Sequence, residues 1–128
     1  MEITMNEMMM VSESILTRFG FDLMTSKSFK SGFFIVGKAS YVNIAITYGY
    51  KNGFSVDILP NKEFIGLTVD ISPFDFPNDP TWEVELLNIV RRALKQNAAI
   101  ERKFLMNEKF REITNIKLNR MQRSNLVG

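Results

Sequence analysis

The sequence predicts an α+β fold. It consists of an N-terminal helix, a four- or five-stranded antiparallel β-meander and a long C-terminal helix packed on one face of the sheet, with a break or an extension near Asn107. Three observations predict it. The apolar period is near 3.6 over residues 4–19, changes to 2 between Phe21 and Ile71, and returns to 3.6 after Asp79. The segments of period 2 are joined by short turns, which connect antiparallel neighbours. A sheet with one apolar face needs a cover, and the two helical segments are the covers available.

The first helix spans 4–19. Thr4 and Glu7 form a T-x-x-E capping box, and Ile3 is placed to staple against Met8. Met8, Val11, Ile15 and Phe19 make one apolar stripe, widened by Met5, Met9 and Leu16. Gly20 is positioned to end the helix in the left-handed conformation. The Met8-Met9-Met10 run has the adaptability of a promiscuous binding surface, but packing onto the sheet is the favoured reading.

Phe21–Thr25 is a first strand, Lys27–Gly32 a turn or loop, and Phe33–Val36 a second strand. Val42, Ile44, Ile46 and Tyr48 alternate with Tyr41, Asn43, Ala45 and Thr47 in the clearest strand. Gly49–Gly53 contains Asn-Gly, which accepts the positive φ of a tight hairpin. Phe54, Val56 and Ile58 alternate in the next strand, and Ile65, Leu67, Val69 and Ile71 in another after the Pro60-Asn61-Lys62 turn. Ser72–Asp79, with Pro73 and Pro77, reads as a stiff connector. Phe74 and Phe76 within it are either an aromatic anchor for a partner or, the favoured reading, a plug at the end of the core.

Asp79-Pro80-Thr81-Trp82 opens the last helix, with Asp79 capping and Pro80 in the first turn. Trp82, Leu86, Leu87, Val90, Ala93, Leu94, Asn97, Ile100, Phe104 and Leu105 share one broad sector of a helical wheel. Met106, Phe110, Ile113 and Met121 lie roughly opposite. One straight helix cannot bury both stripes against one sheet. Either Asn107 caps a second helix, or a continuous helix projects beyond the domain and its other face takes a partner. The division is therefore 1–106 for the domain and 107–128 for a helical extension.

The chain is 128 residues with net charge +2, but the charge is divided. Residues 1–79 carry six Lys/Arg and nine Asp/Glu, net −3. Residues 80–128 carry ten and five, net +5. There is no cysteine and no histidine. That excludes disulfides, thiolate metal sites, cysteine nucleophiles and histidine-based triads. No phosphate-binding glycine motif is present, and no cofactor is expected. The methionine-rich start lacks the pattern of a signal peptide. No apolar run has the length of a membrane span, and the narrow apolar face of the last helix argues against membrane binding. A cytoplasmic protein is the expectation.

Three functions are compatible with these residues. The first is a non-catalytic protein-binding accessory module of immunity, inhibitor, chaperone or adaptor type, homodimeric through the C-terminal helix. Its candidate contacts are Phe110, Ile113, Met121, Phe74 and Phe76. The second is nucleic-acid binding, ranked behind it, in which Arg91, Arg92, Lys95, Arg102 and Lys103 contact phosphates. The third is carboxylate chemistry, which requires Asp57 to converge with Asp70 or Asp75 in a pocket.

Overall fold

The computed structural model describes residues 3–61 and 73–127, and beyond Lys109 the side chains of Glu112 and Ile116 alone. The order is α1 (Met5–Arg18), β1 (Asp22–Phe29), β2 (Gly32–Lys38), β3 (Val42–Gly49), β4 (Gly53–Pro60), β5 (Phe74–Phe76) and α2 (Trp82–Val127). The strands form one antiparallel sheet in chain order. The predicted strand over Phe64–Ile71 lies outside the described residues.

Both ends of α1 follow from local chemistry. The Glu7 amide donates to the Thr4 hydroxyl at 3.2 Å. At the other end the Gly20 amide donates to Thr17 and the Phe21 amide to Leu16, while Gly20 takes φ +89. This closure satisfies carbonyls the helix leaves free. Met8, Ile15 and Leu16 are buried, with Val11 and Phe19 packed beside them. Ser12 is buried too, because its hydroxyl donates to the Met8 carbonyl at 2.8 Å.

The sheet register assigns each residue to a face. On the covered face the rows are Ser28–Phe33–Tyr48–Phe54–Phe76, Ser26–Ile35–Ile46–Val56–Phe74 and Leu23–Gly37–Ile44–Ile58. From β2 to β4 these side chains are almost fully buried. The open face carries Lys27–Phe34–Thr47–Ser55–Asp75, Thr25–Val36–Ala45–Asp57 and Asp22–Lys38–Asn43–Leu59.

Two sheet expectations are corrected. Lys27–Gly32 is not a loop: β1 runs to Phe29, β2 resumes at Gly32, and Lys30-Ser31 makes the turn. The connector Ser72–Asp79 contains a strand, β5, held between Pro73 and Pro77. It pairs with Phe54–Val56 at the sheet edge, the place where flanking prolines are tolerated.

α2 is one continuous helix of 46 residues, roughly 69 Å long at about 1.5 Å per residue. Asn107 therefore does not cap a second helix; the extension is the form adopted. The helix begins at Trp82, after the predicted start. Asp79 and Pro80 lie in the preceding turn, where the Asp79 carboxylate accepts from the Thr81 amide at 2.9 Å and from the Thr81 hydroxyl. The near half covers the sheet through Trp82, Leu86, Ile89, Val90, Ala93 and Ile100. Asn97 ties it to the start of β3 by accepting the Tyr41 amide at 2.8 Å. The Phe104 ring lies 6.0 Å from that of Tyr41. No described helix is long and apolar enough to cross a membrane.

Candidate interaction surfaces

The sheet and the near half of α2 hold four surfaces in fixed relation. The first is the far half of α2. Residues 105–127 extend roughly 35 Å beyond Phe104. Leu105, Met106 and Ile116 are exposed there, at 54%, 72% and 52%, so Leu105 lies outside the covered stripe in which its spacing places it. Phe110, Ile113 and Met121 belong to this same stretch of helix, outside the described side chains.

The second surface is the outward side of α2 over the sheet. Arg91, Lys95 and Arg102 are exposed along it, with Lys103 beside them. Arg92 has a different neighbour. Its guanidinium lies 5.4 Å from the centre of the Phe74 ring, a cation–π contact that fastens α2 to β5. Phe74 is half-buried by this packing. Phe76 is buried, its ring stacked on Phe54 at 4.9 Å. Both phenylalanines thus have partners within the fold, and Phe76 is part of the core.

The third surface is a cavity of about 780 Å³ between the N-terminal ends of the two helices and the end of β3. Met5, Met8, Tyr48, Tyr50 and Trp82 wall it, and Asp79 and Glu83 stand at its rim. Hydrogen bonds from the Thr81 hydroxyl and amide hold the Asp79 carboxyl below its usual range. Burial, and then the nearby Tyr50, push the Tyr48 phenol up. Its oxygen accepts from Asn78 at 2.8 Å. Both carboxylates sit at the positive end of α2, where acidic groups stabilise a helix.

The open face of the sheet is the fourth. Phe34, Val36 and Ala45 are half-buried at its centre, and Phe29 and Leu59 are exposed at 56% and 44%. The alternation in β3 places Ala45 opposite the core row, whereas the uniformly apolar Phe33–Val36 run does not tell the faces of Phe34 and Val36 apart. Asp57 and Asp75 share this face, on adjacent strands two positions out of register. Asp70 lies outside the described residues. Among those described, no three metal-ligating side chains gather to hold an ion.

No family model, no curated protein sequence and no solved structure matches this chain.

Proposed function

We propose that this chain is a non-catalytic protein-interaction module, of adaptor or inhibitor kind, that self-associates through the far half of α2. The observation that carries the reading is the length of the helix beyond its own sheet. Most helical stability in proteins comes from packing an apolar face against another element. Here the helix continues past Phe104 with Leu105, Met106 and Ile116 exposed. In the sequence Phe110 and Ile113 add to the apolar content of the same stretch. A second copy is the simplest cover, since closed two-fold dimers are the commonest assemblies. The non-catalytic part rests on the sequence, which has neither histidine nor cysteine and no catalytic motif. The missing cysteines also favour a cytoplasmic setting.

The test is light scattering on the wild type and on Phe110→Asp combined with Ile113→Asp. The wild type is expected to scatter as a dimer and the double variant as a monomer with an intact sheet signal in circular dichroism. A double variant that stays dimeric would remove the far half of α2 from the interface.

A second reading has its own observation. Arg91, Lys95 and Arg102 are exposed in one line on the outward side of α2. Such a line suits the phosphates of a nucleic acid, whose affinity falls steeply with salt. Titration with duplex DNA and with RNA at two salt concentrations tests it. Binding is expected at low salt, with a shallower salt slope in Arg91→Glu with Lys95→Glu. No binding at low salt would end this reading.

A further inference from the structure

We propose that the seat for the far half of α2 is the open face of the sheet in a second copy of the chain. This rests on the self-association just proposed and names its docking surface.

Two surfaces of the chain have no cover among the described residues, and their properties are complementary. The sheet face is apolar at its centre, through Phe34, Val36 and Ala45, with Leu59 exposed toward one end. Its strands carry Asp22, Asp57 and Asp75 against Lys27 and Lys38 on this face, net −1, with both lysines on β1 and β2 and the two aspartates alone on the β3–β5 side. The helix brings exposed Leu105, Met106 and Ile116. Its charges over residues 105–127 are five basic (Lys109, Arg111, Lys117, Arg120, Arg123) and two acidic (Glu108, Glu112), net +3.

The signs decide between the two seats a second copy offers. Pairing the far halves of two α2 helices side by side sets +3 against +3. Laying each across the partner's sheet sets it against a face of net −1 and buries apolar atoms on both sides. The dimensions agree as well. Eight-residue strands span roughly 26 Å, and five strands about 20 Å across, so a helix of roughly 35 Å crosses the face on a diagonal. Applied reciprocally, the exchange closes as a two-fold dimer in which every open sheet face receives one helix.

The cysteine-free sequence allows a direct test. Ser55→Cys places a thiol on the open face, and Ile116→Cys places one on the exposed far half of α2. The two single variants are mixed and oxidised, and the disulfide-linked products are separated by mass, with one variant carrying a tag. Thr47→Cys, exposed on the same sheet face, repeats the test should Ser55→Cys fold poorly. The expected major product links the sheet variant to the helix variant. A major product linking two Ile116→Cys chains would overturn the sheet seat and leave self-association through α2 standing. A major product linking two sheet variants, or an uncrosslinked monomer throughout, would overturn both.

Discussion

Phe54→Ala is expected to destabilise the protein by about 3–5 kcal/mol, the range for removing a large aromatic side chain from a packed core. Phe54 is 1% exposed and touches the rings around it on every side. Its ring stacks on Phe76 at 4.9 Å and on Trp82 at 5.2 Å, with interplanar angles of 11° and 9°. Tyr48 lies at 4.8 Å and Phe33 at 6.1 Å. Removing the ring opens a void at the point where β4, β5 and the start of α2 meet. Neighbours held on four different elements cannot all collapse into it. The loss is a large share of the roughly 5–15 kcal/mol that stabilises an ordinary domain. Urea denaturation checks it, followed by the emission of Trp82, the single tryptophan of the chain. A change below about 1 kcal/mol would mean that this aromatic stack is not the centre of the core.

The second large effect is expected at Gly53. Its φ is +78, in the left-handed region. A Cβ added there would stand 2.5 Å from the Phe76 carbonyl oxygen and 3.0 Å from the Pro77 Cα. Both atoms are backbone, so relief requires β5 to shift away from β4. Gly53→Ala combines the left-handed penalty with overpacking, together about 2–4 kcal/mol. Gly20 is the internal control. Its φ is +89, but nothing lies within 4 Å of the corresponding Cβ. Gly20→Ala should therefore show the conformational penalty alone, about 1–2 kcal/mol. Parallel denaturation of the two variants separates the terms. Equal losses would show that β5 yields without cost.

Much of this architecture is legible in the residues because the relevant signals are local. Thr4, Glu7 and Gly20 mark the ends of α1 by hydrogen bonding and backbone freedom that need no tertiary context. Alternation from Val42 to Ile58 marks a sheet with one face buried. The misreadings lie where the fold overrides the local pattern. β1 is exposed along nearly its whole length, so its residues show little alternation and its second half looked like a loop. β5 is three residues between prolines, and only its pairing with β4 makes it a strand. Ser12 hides a core position behind a hydroxyl satisfied within its own helix. At Asn107 a residue able to start a helix sits inside one, because the flanking residues are themselves good helix formers.

The candidate surfaces were legible to a lesser degree. The basic line of Arg91, Lys95 and Arg102 follows from helical spacing alone. The engagement of Arg92 with Phe74 does not, since it joins residues from an unsuspected edge strand and the long helix. The change of apolar phase after Phe104 was visible in the sequence. What it meant depended on whether the helix broke or ran on, and it runs on.

The central claim is that the far half of α2 is covered by a second copy of the chain. Sedimentation equilibrium of the wild type over a range of concentrations tests it most directly. The expected result is a monomer–dimer isotherm whose upper limit is twice the 14.8 kDa of one chain. A single species of 14.8 kDa at every concentration would contradict it.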